Sequence, residues 1–465
     1  VAGLARPAAP EIARVIVMKF GGTSVADAER IGAAAEIVRG RLDRKPVVVV
    51  SALAGVTDLL VRAVAAAREG QRELLEPLLA DLARRHRWAL SGVEDAGRRH
   101  ALGLEIDARF EDLRQLLRSV RVLGEGTPRA SDALLAFGEI LSSHLIAAAF
   151  SDRGLAACLV DAREVMVTDA RHGAAEPDLD AIAARAKRVI RPRVEAGEVP
   201  VLGGFFGATA DGTTTTLGRG GSDTTAAVLG SALGASEIEI WTDVDGVMTA
   251  DPRRVRSARP CASVSFAEAA ELAYYGAKVL HPASIAPAVG RGIPVRVLNA
   301  QKPDSEGTLI VGDTGAAAPA LASVASRAGV TSLRVNAPAM RMDPGFLPRV
   351  LAAVEHERAA PDLVVSSEVA VTLVLPRLEK GAGLAERLAA FATVERRDDR
   401  GIVCVVGGGL AREGPIRGRV LAALGSHDPE LLALGGSATS VAAVVPEARL
   451  DACVRDLHRR FFEET

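Results

Sequence analysis

Aromatic residues are scarce: Phe, Trp and Tyr make up 3% of the 465 residues. That weighs against a surface built to stack nucleic-acid bases. The net charge is −2, so no overall field favours nucleic acid or a membrane surface as a partner. Cysteine is thin as well. Cys158, Cys261, Cys404 and Cys453 lie far apart, without a CxxC or a Cys/His cluster. This argues against zinc and against a disulfide framework, and predicts buried thiols in a reducing compartment. No uninterrupted apolar run is long enough to span a bilayer. The first 13 residues, VAGLARPAAPEIA, lack the long apolar core of a secretory signal. With Pro7 and Pro10 they read as a frayed extension, and the chain as a cytoplasmic protein.

The commonest phosphate-binding signatures are also missing. There is no GxxxxGK[ST], no GxGxxG after a strand, and no HRD or DFG step. Any phosphoryl chemistry therefore needs another cradle. Lysine is rare, six among 56 Lys plus Arg. Lys19 and Lys278, both beside small residues, stand out as places that call for a compact ammonium.

What is present begins with RVIVMKFGGTSV (14–25). An apolar run, Val15 to Phe20, ends at Gly21-Gly22-Thr23-Ser24, and a helical pattern opens near Ala26. A buried strand feeding a helix through a glycine turn points backbone N–H groups at an anion. Lys19 adds a point charge suited to a phosphoryl group. Over the first ~310 residues strands and helices alternate, which predicts an α/β layer fold with a largely parallel sheet. PVVVVSAL (46–53), VPVLGGFFGA (199–208), IEIWTDVDGVMT (238–249) and IPVRVLNA (293–300) read as further strands. Ser131-Asp132 reads as the cap of a helix running to about Phe150. Ligands are expected beyond the strand carboxyl ends.

Three further segments carry chemistry. GTTTTLGRGGSDTTA (212–226) sets Gly220 and Gly221 around Arg219, Ser222 and Asp223 at the start of a helix. Arg219 suits a carboxylate, and Asp223 suits a nearby lysine; a flexible surface loop with Asp223 as a cap is the plain alternative. WTDVDGVMTADPRR (241–254) ends a strand at Thr242-Asp243 and reaches Asp251-Pro252-Arg253. FAEAAELAYYGAKVLHPASIAPA (266–288) is a helix ending near Gly276, then GAKVLHP with Lys278 and Val279; His281 there reads as structural or capping. Glu139 sits inside an apolar helix, where a lone carboxylate is costly unless paired. Either it meets a substrate ammonium or it lies on an exposed polar stripe. Ser51 and Thr57 flank the turn after the second strand.

A small-residue stretch, 312–320, reads as a linker, and an internal repeat follows. RVLAA occurs at 349–353 and at 419–423, an offset of 70 that also pairs VAVTLVLP (369–376) with TSVAAVVP (439–446). Each copy reads as a small α+β unit.

KFGGTSV, LGRGGSD, the WTDVDGVMTADPR segment and GAKVLHP together resemble the aspartate kinases of the amino acid kinase family, and the resemblance covers most of the chain. It implies an amino acid kinase αβα sandwich over 14–312 and tandem ACT (ferredoxin-like) modules over 321–465. The modules would span about 327–395 and 397–465, with strand exchange between them left open. The implied reaction takes L-aspartate and ATP, with Mg²⁺, to 4-phospho-L-aspartate and ADP. Lys19, Gly21, Gly22 and Asp223 would be catalytic. Ser51, Thr57, Glu139, Arg219, Gly220, Gly221 and Ser222 would bind aspartate. Lys19, Thr242, Asp243, Met248, Arg253, Lys278 and Val279 would bind ATP. No residue set is expected to ligate a metal directly.

The resemblance also implies feedback inhibition, by lysine or else threonine, and a homodimer or homotetramer. Met340, Asp343, Phe346, Leu347, Asp362, Ser366, Ser367 and Glu368 would form the effector site. The first copy has Glu368 where the second has Ala438, so the first is the better pocket for an ammonium. Another amino acid kinase, such as a glutamate 5-kinase, and a non-catalytic amino-acid sensor are the competing readings.

Overall fold

The computed structural model describes residues 15–276, 280–315, 318–337, 344–378 and 383–464. The extension read over 1–13, together with Lys278, Val279, Met340 and Asp343, lies outside them. The chain divides into two compact units. The first comprises Ala262–Phe266 and the described parts of Val1–Gly246 and Val279–Asp313. The second comprises Val247–Cys261 and the described parts of Ala267–Lys278 and Thr314–Thr465.

The first unit is built on an eight-stranded sheet. Its strands are β1 (Ile16–Phe20), β2 (Pro46–Val50), β3 (Ala157–Leu159), β4 (Val199–Gly203), β7 (Glu237–Thr242), β8 (Ser263–Ser265), β9 (Val295–Asn299) and β10 (Thr308–Val311). A separate hairpin joins β5 (Phe206–Ala208) and β6 (Thr214–Thr216). The order is β3-β4-β2-β1-β7-β9-β10-β8, and the single antiparallel pairing is β10 with β9. Continuous runs of β-branched residues suit strands covered on both faces. β2 is buried at all five positions, and β1 at all but Lys19. Helices Ala28–Arg39, Val56–Arg68 and Phe137–Asp152 join one core with Met18 and Val48. Helix Gly221–Leu233 packs on β1 and carries Leu179–Val189 and Pro282–Val289 beside it. The result is the expected αβα sandwich with a mostly parallel sheet.

Two local readings need correction. The helix at Pro128–Leu135 is capped by the Thr127 side chain, not by Ser131-Asp132, because Pro128 already supplies a helical φ at its first position. A long apolar segment also exists after all: Pro128–Asp152 is long and apolar enough to cross a bilayer, yet it is 72% buried inside protein. It is a core helix.

The second unit contains a six-stranded antiparallel sheet of β11 (Ser323–Asn336), β12 (Leu363–Ser366), β13 (Ala370–Pro376), β14 (Thr393–Val406), β15 (Leu431–Leu434) and β16 (Ser440–Pro446). The order β12-β13-β11-β14-β16-β15 places the two longest strands at the centre. Val330–Asn336 of β11 pairs with β13, while Ser323–Arg327 pairs only with the end of β14 that meets β16. The second half-sheet thus takes its outer strand from the segment that opens the first. Both RVLAA strings lie in helices, Phe346–His356 and Gly414–Gly425, and Val350 and Val420 anchor separate cores.

Candidate active site

β1 ends at Phe20, and the backbone turns through a 3-10 helix, Gly22–Val25. The Gly21 N–H donates to the Trp241 carbonyl at 3.0 Å, which ties the turn to β7. Gly22 permits a close approach that no other residue allows: a Cβ there would lie 2.5 Å from the Ala52 carbonyl oxygen. The glycine turn and the turn after β2 are therefore pressed together. Ser51 belongs to that second turn. Its N–H donates to the Phe20 carbonyl at 3.1 Å, and its carbonyl accepts from Ser142 Oγ at 2.8 Å.

Lys19 Nζ lies 2.7 Å from Asp223 Oδ1, with both side chains largely buried. Oδ1 has no aligned hydrogen-bond donor, so the attraction is a charge contact rather than a directed bond. Glu139 stands nearby and is 3% exposed, so the exposed-stripe alternative is overturned. Its Oε1 accepts from the Ala52 N–H at 3.1 Å, and its Oε2 has no partner. Burial pushes this carboxyl up to about 8, against the opposing pull of the Ala52 N–H and the Lys19 ammonium.

The GRGGSD segment forms the opposite wall. Helix Gly221–Leu233 starts after Gly220, whose φ is +72 and whose Cβ would fall 2.4 Å from Ser284 Oγ. Only glycine meets both demands. Ser222 is buried and Asp223 lies in the first helical turn. Lys19, Gly21, Gly22, Ser51, Glu139, Ser222 and Asp223 thus share one end of the sheet. Arg219 and Thr57 stay exposed at its margin, and Arg219 forms no ion pair with a described residue. His281 occupies the cap position of Pro282–Val289, but its side chain makes no capping bond and is exposed. The capping role read from sequence is therefore withdrawn.

In the nucleotide segment the strand stops at Thr242, shorter than read from sequence, since Asp243 onward is irregular. Thr242 Oγ1 donates to Asp243 Oδ1 at 3.3 Å. Met248 and Arg253 belong to the second unit; Arg253 is 89% exposed and its guanidinium grips Asp251. Among the described residues no group of three or more His, Cys, Asp or Glu is arranged to hold a metal ion.

The amino acid kinase family model matches residues 14–299. Lysine-sensitive aspartokinase 3 of Escherichia coli (strain K12) is 35% identical over 470 residues, spanning 97% of this chain and 100% of that protein. The chain belongs to the aspartokinases. Two solved structures of E. coli aspartokinase III are similar to it, each 34% identical and each covered 100% by 97% of this chain. The one in complex with lysine and aspartate (T-state) has a TM-score of 0.85, and the one with aspartate and ADP (R-state) 0.80.

The residues read as an aspartokinase effector site are dispersed. Phe346 is core, edge-on to Phe391 at 6.2 Å, and Leu347 packs against that core. Asp362 forms an ion pair with Arg327, and its backbone carbonyl accepts from Tyr274 OH at 3.3 Å. Ser366 and Glu368 are exposed, and Ser367 Oγ is used by the turn at Ala370.

Two site residues escaped the sequence reading. Phe205 has φ +70, a conformation costly for a side-chain-bearing residue, and its N–H donates to Thr225 Oγ1 at 3.1 Å. The run GGFFG was the available signal. Asp132, read as a cap, is 1% exposed. It accepts from Thr216 Oγ1 at 2.6 Å and from Gly173 N at 3.0 Å, and it meets His172 Nδ1 at 2.7 Å. It ties β6, and so the approach to GRGGSD, to the loop at 172–173.

Proposed function

We propose that this protein is an aspartate kinase, which transfers the γ-phosphoryl of ATP to the β-carboxylate of L-aspartate. The observation that carries this is the Lys19–Asp223 pair at the glycine turn, with buried Glu139 beside it, in a chain of this family. The acceptor carboxylate is already ionised at neutral pH, so no general base is needed. The work is to bring two anions together and to offset the charge spread over the transferring group.

Lys19 and the Gly21-Gly22 amides would hold that phosphoryl group, with Asp223 orienting Lys19. Arg219 would take the substrate α-carboxylate and Glu139 its ammonium; Ser51, Thr57, Gly220, Gly221 and Ser222 would shape the rest of the pocket. Thr242, Asp243, Met248, Arg253, Lys278 and Val279 would bind the nucleotide. The ADP held by the E. coli relative supports ATP as donor. Mg²⁺ fits an ion carried in by the nucleotide: isolated carboxylates suit a cation that keeps phosphate and water ligands. It would offset triphosphate charge.

The reaction would open the synthesis of aspartate-family amino acids in the cytoplasm, as a homodimer or homotetramer. Lysine is the favoured inhibitor, supported by the name of the E. coli relative and by the lysine in its T-state structure. Met340, Asp343, Phe346, Leu347, Asp362, Ser366, Ser367 and Glu368 are its proposed surroundings.

Trapping the product with hydroxylamine tests the activity. Wild type should form aspartyl hydroxamate with aspartate and not the glutamyl product with glutamate, and Lys19→Met should form none while remaining folded. A wild type that makes no aspartyl hydroxamate would sink the proposal.

A further inference from the structure

Segment 247–261 carries Met248 and the Asp251-Pro252-Arg253 step, and it has little regular structure of its own. It closes on itself at Thr249. The Thr249 N–H donates to the Arg259 carbonyl at 2.9 Å, and the Arg259 N–H donates back to Thr249 Oγ1 at 3.1 Å. What holds this loop is the second module. Ser323 Oγ donates to the Met248 carbonyl at 2.7 Å, and the Val324 N–H donates to the Thr249 carbonyl at 2.9 Å. Ala250 and Val255 sit in the same core as Val405, Val420 and Leu457.

The end of the chain completes the hold. His458 closes helix Glu447–His458 and is 1% exposed. Its Nε2 lies 2.9 Å from Thr249 Oγ1 and its Nδ1 lies 2.8 Å from Glu463 Oε1, while Phe462 stacks on the ring at 5.1 Å. An ionised carboxylate only accepts, so Nδ1 carries a proton; in the neutral ring Nε2 then accepts from the Thr249 hydroxyl. Ser257 Oγ donates to the same Glu463 oxygen at 2.5 Å, and Arg254 pairs with Asp451. Two residues of the nucleotide loop beyond Thr249 are thus gripped from the same C-terminal stretch.

We infer that the second module serves to set the nucleotide loop, with His458 acting on Met248 and Arg253 as a positioning residue through Thr249. This rests on the nucleotide assignment made above. It also accounts for the difference between the repeats. The second copy lacks the acid that an effector ammonium would need, having Ala438 there, and its core is instead occupied with residues of the nucleotide loop.

The test is ADP binding by calorimetry, together with separate KM values for ATP and aspartate, on the full chain. His458→Leu and Thr249→Val should each weaken ADP binding and raise the ATP KM by about tenfold. The aspartate KM should stay within about twofold. Because both variants remove one bond, the double variant should be no worse than the stronger single. His458→Gln, whose amide nitrogen reaches the Nε2 position, should recover most of the loss. Unchanged ADP binding in Thr249→Val, equal rises in both KM values, or additive effects would overturn the inference. So would a Thr249→Val protein that cannot fold, since the contact would then be structural only. A wild type that binds ADP yet makes no aspartyl hydroxamate sinks the activity reading alone; one that binds no ADP sinks the nucleotide assignment beneath both.

Discussion

Glu139 Oε1 accepts the Ala52 N–H at 3.1 Å, while the second oxygen of the same carboxylate is buried without a partner. One half of the group is spent on the turn that carries Ser51. The other half faces the site and is the natural seat for an ammonium. With the site empty, burial keeps the proton on, at a pKa of about 8.

Two pH effects follow from that carboxyl. An ammonium ligand needs it ionised, so aspartate binding should release a proton near neutral pH and tighten as pH rises from about 6 to 8, by at most about tenfold per unit. Calorimetry in buffers of different ionisation enthalpy reads the proton directly. Stability runs the other way. The folded state holds the proton from the ordinary carboxylate range up to about 8, so the empty protein loses stability as pH rises through that window. Glu139→Gln should abolish both slopes, and a wild-type melting temperature that climbs from about pH 5 to 8 faster than that of Glu139→Gln would contradict this.

Asp223→Asn should cut kcat by about 100-fold or more, on the scale of other preorganised charge contacts. It removes the only acid paired with Lys19 among the described residues. Both side chains retain some solvent access, so the melting temperature should fall by only a few degrees. Steady-state kinetics beside a thermal melt separates the two effects.

Gly22→Ala should destabilise by about 1–3 kcal/mol, because backbone, not a flexible side chain, blocks the new methyl. The aspartate KM should rise with it, since the two turns must move apart. A denaturant titration and the KM check this; a variant as stable as wild type would mean that the turns yield freely.

Asp132→Ala leaves Thr216 Oγ1 and the Gly173 N–H without their buried acceptor. The cost should be on the order of 3 kcal/mol. Asp132→Asn, which keeps one acceptor, should lose less. Equal losses in chemical denaturation would show that the carboxylate charge, not the hydrogen bonds, does the holding.

Lysine should inhibit the wild type, and Glu368→Ala should weaken that inhibition by about tenfold if an ammonium pairs there. Titrations with lysine, threonine and both read the effect. No response to either amino acid removes the regulatory proposal while leaving the catalytic one intact.

Much of the architecture is legible in local chemistry. Unbroken β-branched runs announce β1 and β2, glycine pairs announce the turns, and the offset of 70 announces the two small modules. Lys19 and Asp223 could be paired in advance because their motifs end a central strand and begin the helix packed on it. Glu139 was only half legible. Its helix is apolar nearly all round, so periodicity cannot say whether the carboxylate faces solvent or the site.

The sequence by itself determined the elements, the glycine turns and the residues able to handle phosphate and carboxylate, since those depend on neighbours within a few positions. Only the tertiary structure decided that Asp132 is a hub and not a cap, that the second half-sheet takes its outer strand from ahead of the first, and that the nucleotide loop belongs with the chain's end. Thr249 and His458 are 209 residues apart, and Asp132 and Thr216 are 84 apart. Hydrogen bonds of that span leave no local periodicity; they exist only once packing has brought buried donors and acceptors together and excluded water from them.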